Sequence, residues 1–218
     1  MSTILKSLRE DLVCEWLMNG NLNDTSGNGY TSTIAGPILT TDELNRKDRA
    51  YAFSGIPQYL AFNKLQVAGP MTIAFNIKNT TSITAVIFDT GGFTSSTEGM
   101  VIYQVSGILS FYVSDGSSIF GPVVLSGNIA DGKWHTVVFT WTGISGTNGI
   151  KCYVDNVLTM GTSNKTWSGN STWQYRFGPT QGGNTAINGS MSKIRIWDRI
   201  LTAEEAKQLT IKGIGTPI

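Results

Sequence analysis

DGKWHTVVFTWTGISGTNGIKCYVDN, residues 131–156, is the stretch from which the fold can be read. Asp131 and Gly132 signal a turn, and the run WHTVVFTW that follows Lys133 is β-branched and aromatic with no helical spacing. Such a run predicts a long strand over 134–141, buried on both faces or nearly so. TGISGTNG at 142–149 carries glycines and an Asn that tolerate positive φ, as a connection between strands requires. IKCYV at 150–154 reads as a second strand, stopped by a turn at Asp155 and Asn156. Two strands, a loop and bounding turns make a hairpin.

Outward from the hairpin, strands are predicted over 12–18, 32–34, 50–54, 58–62, 71–78, 84–89, 100–104, 109–114, 173–177 and 191–197, with turn formers between them. That spacing argues for a sandwich or barrel and against βαβ units. Ile4, Leu5, Leu8 and Leu12 recur at helical spacing, which predicts a short N-terminal helix or turn packed on one end. TAEEAKQL at 202–209 is the clearly helical segment. Thr202 caps its first turn and Glu205 reaches back, a capping box, while Leu201 and Leu209 pin it to the sheet. No Pro-rich or charged linker divides the chain, so residues 1–218 read as a single domain.

A formal net charge of +1 without Lys/Arg runs gives no footprint for nucleic acid, which needs clustered cations. Charged residues are 14% of the chain, against about 25% in an average domain. A neutral polar surface is common in proteins that work outside the cell or on a particle. No apolar run approaches the roughly 20 residues of a membrane span, and MSTILKSLRED lacks the positive flank and apolar centre of a signal peptide. The expectation is an extracellular or virion component that does not insert in membranes. Cys14 and Cys152 read either as buried free thiols or as a disulfide stapling two strands. No CxxC or His-rich spacing points to zinc.

Three separated pieces carry a family resemblance: LVCEW at 12–16 with NLNDTSGNG at 21–29, DGKWH at 131–135 with YVDN at 153–156, and GSMSKIRIWDRIL at 189–201 leading into TAEE. YAFSG at 51–55 fits as well. Over residues 12–209 the chain resembles a LamG-like jelly-roll domain of the concanavalin A-like lectin/glucanase superfamily. The resemblance implies an all-β fold, a two-sheet antiparallel jelly-roll sandwich with a short C-terminal helix, loops clustered at the ends, and often calcium at one rim. Sugar binders, adhesion modules, structural modules and glycan-cleaving enzymes share this fold, so function has to come from the sites.

For calcium, Asp24 and Asn28 in their Gly-rich loop are the candidate ligands. The resemblance places another acid near the end of the chain, where this sequence has Ser192 and Lys193, which weakens the site. The alternative is a turn closed by an Asx hydrogen bond from Asp24. Glycoside hydrolysis needs two carboxylates roughly 5 to 10 Å apart, which the related hydrolases carry at alternating positions of one strand. No strand here has that pattern, and Asp89, Asp115, Asp131, Asp155 and Asp198 are scattered. His135, the single histidine, reads as structural. The chain is therefore not expected to be an enzyme.

Ligand binding has better candidates. Trp167 stands among the polar residues of 162–172, where a flat ring beside amides and hydroxyls suits a sugar face. The alternative folds it back over the sandwich edge. Phe93 sits in a second polar loop at 91–99, and the parity of Trp173, Tyr175 and Phe177 leaves Arg176 facing outward. The expected function is a non-catalytic glycan-binding or adhesion module for a polysaccharide or cell-surface glycan. The runner-up is a structural or protein-binding sandwich whose partners are other virion or surface proteins.

Overall fold

A computed structural model describes residues 7–55, 58–62, 67, 69–90, 97–167, 169, 174–179 and 187–211. In chain order these form β1 (Leu12–Trp16), β2 (Ser32–Ala35), β3 (Ile38–Thr40), β4 (Ala50–Ser54), β5 (Tyr59–Phe62), β6 (Met71–Asn79), β7 (Ala85–Asp89) and β8 (Glu98–Val105). β9 (Ile108–Asp115), β10 (Ile119–Asn128), β11 (Trp134–Trp141), β12 (Gly146–Val154), β13 (Val157–Ser163), β14 (Tyr175–Phe177), β15 (Asn188–Trp197) and one helix, α1 (Ala203–Ile211), follow. The larger sheet runs β13-β12-β11-β6-β15-β4-β3, with β1 also on β15, and the smaller runs β10-β9-β8-β7-β14-β5-β2. This is the antiparallel two-sheet sandwich that the sequence predicts.

β11 sits where its composition demands. It pairs with β6 along its whole length and with β12 from Val137 to Trp141. Phe139 and Trp141 face the inter-sheet core, where Phe111 meets both rings, while Trp16 stacks on Phe62 at 3.6 Å. Val138 faces the other way and is buried too, in a second cluster with Ala74, Tyr153 and Trp197 under Leu8, Leu12, Leu201, Ala206 and Leu209. The helix and the N-terminal turn cover the outer face of the larger sheet, so β11 is apolar on both sides. Leu8 and Leu12 do what their spacing predicts, while Ile4 and Leu5 lie outside the described residues. The capping box forms, with Thr202 N–H donating to Glu205 Oε2 at 2.8 Å and Glu205 N–H to Thr202 Oγ1 at 3.2 Å.

Cys14 and Cys152 are free and buried. Three strands, β11, β6 and β15, lie between their strands, well beyond the roughly 7 Å that a disulfide can bridge between Cα atoms. β3, β10 and β13 fall in stretches where no strand is predicted, and each is the edge of a sheet. Edge strands tolerate breakers. β10 carries Gly121 and Pro122 at the break in its register between Phe120 and Val123.

Candidate functional site

β10 and β13, the facing edges of the two sheets, run side by side without sharing a ladder. Their approach is close: a Cβ at Gly161 would stand 2.3 Å from Val123 Cγ1. Along this seam a groove of about 250 Å³ is lined by Asn128, His135, Asp155, Val157 and Thr159, with Ile129 and Val154 adding apolar wall.

The DGKWH and YVDN segments meet here because β11 and β12 are hydrogen-bonded neighbours. Asp155, in a left-handed turn at φ 50°, accepts from Thr136 N–H at 2.9 Å and from His135 Nδ1 at 2.6 Å. His135 Nε2 reaches Asp131 Oδ1 at 3.0 Å. Burial pulls the imidazole pKa down, but the bonds from Asp155 and Asp131 outweigh it and leave it above the ordinary 6.5. Lys133 N–H and then His135 bring Asp131 down to about 2. With a carboxylate oxygen facing each ring nitrogen, the protonated imidazole donates both N–H groups to Asp155 and Asp131 and has none left for a ligand. Asn128 Oδ1 accepts from Ala130 N–H at 2.8 Å, leaving its amide nitrogen as a donor.

The sequence-predicted residues are placed elsewhere. Trp167 is not a free platform: its ring is 2% exposed and stacks on Trp141 at 5.9 Å and 14°. Its backbone N–H donates to Gly143 O at 2.9 Å, so the polar loop serves as an anchor while the large ring closes the end of the core. Arg176 has the predicted parity, opposite Ala61 and Asp89 on the outer face of the smaller sheet. It is nonetheless buried, its guanidinium 4.4 Å above the Tyr59 ring. Trp167 contacts Tyr175, on the core side of β14, so these two candidates lie on opposite faces of one strand. Phe93 lies outside the described residues.

Asp24 and Asn28 are both engaged by their own loop and by β1. Asp24 Oδ1 accepts from Glu15 and Ser26 N–H at 3.0 Å each, and Oδ2 from Tyr30 N–H at 3.0 Å and Ser26 Oγ at 2.9 Å. Burial raises its pKa, but these bonds lower it further, so the carboxylate is ionised and already surrounded by donors. Asn28 turns its amide nitrogen to Leu12 O and Val13 O at 2.8 and 2.9 Å. This is the Asx-closed turn of the alternative reading. No group of three or more His, Cys, Asp or Glu able to hold a metal ion occurs among the described residues.

Beside the position of the missing acid, Lys193 is buried and directs its ammonium at Glu43 and, at 3.5 Å, at Asp42 Oδ2. Arg46 adds a fork on the same Asp42 oxygen, at 2.9 and 2.7 Å. Ser192 Oγ donates to Glu43 Oε2 at 2.9 Å. A cation supplied by the chain itself therefore sits among these acids.

A family model described as concanavalin A-like lectin/glucanases superfamily matches residues 54–207. No curated protein matches the chain in sequence. Among solved structures, a botulinum neurotoxin serotype D binding domain superposes with a TM-score of 0.73 at 14% identity, over 97% of this chain and 53% of its own. The serotype D ligand-binding domain in complex with N-acetylneuraminic acid gives 0.74 at 13%, over 97% and 53%. The binding domain of Paraclostridial mosquitocidal protein 1 gives 0.73 at 16%, over 94% and 53%. At these identities the likeness is one of fold. The chain spans about half the length of each, so the sugar in the complex is not thereby placed in the matching half.

Proposed function

This chain belongs to the concanavalin A-like lectin/glucanases superfamily, and from that membership and the chemistry of the groove we propose a non-catalytic glycan-binding module acting at a cell or virion surface. The observation that carries the proposal is the shared imidazolium beside an open groove. Glycoside hydrolysis requires one carboxyl group that keeps its proton at working pH and a second that attacks or activates water. Asp131 is ionised far below neutrality, and Asp131 and Asp155 are both tied to His135. Such a groove accepts hydroxyl groups without supplying a proton to a leaving oxygen. A shallow site gives weak single contacts, which repeated presentation on a surface multiplies. Polysaccharides and cell-surface glycans present such repeats.

A glycan array with the purified protein, in calcium and in chelator, tests the proposal. Binding to at least one hydroxyl-rich glycan is expected, and silence on every glycan overturns it. One observation favours a second reading, a sandwich that binds another virion or surface protein. Ile119, Val124, Val157, Leu158 and Met160 are exposed apolar side chains on the two edge strands. A silent array together with a stable oligomer in sedimentation would select that reading.

A further inference from the structure

The groove sorts its ligands by charge, because its polar atoms are unequally available. His135 is its cation, and both imidazole N–H groups are spent on Asp155 and Asp131. Lys133 is 80% exposed and directs its ammonium at Asp131 Oδ2, 3.3 Å away, and it is not part of the groove lining. The available donors are neutral: the amide nitrogen of Asn128 and the hydroxyl of Thr159, which makes no hydrogen bond among the described residues. The charged atoms that face the groove with lone pairs to spare are the oxygens of Asp155, each accepting one bond from the protein while a carboxylate oxygen has room for two. Val157 and Ile129 give the ring faces of a sugar an apolar surface.

We infer that this groove takes a single uncharged, hydroxyl-rich sugar residue and discriminates against one that carries a carboxylate. The inference deepens the glycan-binding proposal and rests on it. A volume of about 250 Å³ lies just below the roughly 300–1,000 Å³ of pockets for drug-sized ligands, which fits one ring rather than a buried chain. Hydroxyls of the sugar donate to Asp155 and accept from both Asn128 and Thr159. An anionic group can do only the second, gains no charged donor, and meets Asp155.

The test is affinity for one oligosaccharide with and without a terminal N-acetylneuraminic acid, read by titration calorimetry on the whole chain. The neutral form should bind about three- to fivefold more tightly, the upper part of the range for a half-exposed charge contact. Thr159→Val should weaken neutral binding about two- to tenfold, the loss of one hydrogen bond. Asp155→Asn should bring the two forms to within about twofold. Asn tolerates the left-handed turn at that position, and Thr159→Val and the paired ligands decide the matter if the clamp is disturbed. Tighter binding of the acidic form overturns the charge argument. Neutral binding unmoved by Thr159→Val removes the groove as the site and leaves glycan binding standing. Failure of both forms, together with a silent array, overturns the functional proposal itself.

Discussion

Replacing Lys193 by Met probes how the loop after β3 is fastened to β15. Lys193 lies at φ 54°, at the break in register between Ser192 and Arg195, and its side chain is 1% exposed. A left-handed backbone costs roughly 1–2 kcal/mol for a residue with a Cβ, and Met bears the same cost, so the substitution isolates the ammonium. Breaking a buried ion pair costs about 3–5 kcal/mol, because the remaining charge is left without compensation. Asp42 would keep the Arg46 fork and the N–H groups of Leu44 and Arg46 at 3.0 and 2.9 Å, and Glu43 would keep Ser192. The loss should therefore fall at the low end, about 3 kcal/mol. For a chain of this size that lowers the thermal midpoint by about 6–12 °C at pH 7, measured by circular dichroism. Adding Glu43→Gln removes a carboxylate that lost its partner and should recover part of the fall. A single variant within about 2 °C of the parent, or a double variant no better than the single, would refute the reasoning.

Other substitutions test other parts of the same account. His135 gains partners on folding, so its folded pKa stands above 6.5; its contribution is complete below that value and is lost as pH rises through the folded pKa. The midpoint should drop as pH rises above 6.5 and His135→Gln should flatten the drop, whereas a variant with the same pH profile as the parent contradicts the clamp. Trp167→Ala should cost about 3–5 kcal/mol of stability by urea denaturation. Trp167→Phe should restore most of it together with any glycan binding, and binding lost in the folded Phe variant would return Trp167 to the site. A chelator should leave the midpoint within about 1 °C of the untreated protein, since Asp24 is surrounded by donors, while a larger fall would restore Asp24 as a ligand.

The fold was legible wherever a segment is buried, because burial imposes composition. Trp134 to Trp141, the capping box and the core parity of Tyr175 and Phe177 are all readable for that reason. The groove was not legible, since two of its walls are edge strands with little apolar constraint on their outer sides. β10 carries Gly121 and Pro122, and β13 mixes Leu158 and Met160 with Thr and Gly. The clamp was half visible: DGKWH and YVDN stood out as motifs, but only the pairing of β11 with β12 brings Asp155 onto His135. Trp167 has a polar neighbourhood in sequence and an apolar one in space, and nothing local to the 162–172 stretch separates its two readings. Arg176 was placed on the correct face, yet no local pattern reports that Tyr59 from β5 lies under its guanidinium.

The same internal pairing sets how recognition responds to salt. Glu15 binds Arg195 at 2.7 Å, Asp42 binds Arg46 and Lys193, and Glu205 accepts from Arg199 at 3.0 and 2.7 Å. With 16 Lys and Arg against 15 Asp and Glu, pairing inside the protein uses up much of the charge that could steer a ligand. Buried pairs are weakly screened, so they survive in salt and keep the framework intact. What the groove offers a neutral sugar is an amide, a hydroxyl and short-range bonds to Asp155, none of which depends on a field reaching beyond a Debye length of about 10 Å at 0.1 M. Raising sodium chloride from about 0.05 to about 0.5 M should therefore change the affinity for a neutral glycan by less than about twofold. It should narrow the gap to the acidic form, because screening acts on the one long-range contact that separates them. A tenfold loss of neutral-glycan affinity in salt would mean that charges outside the groove do the binding, and the site would have to be sought on another face.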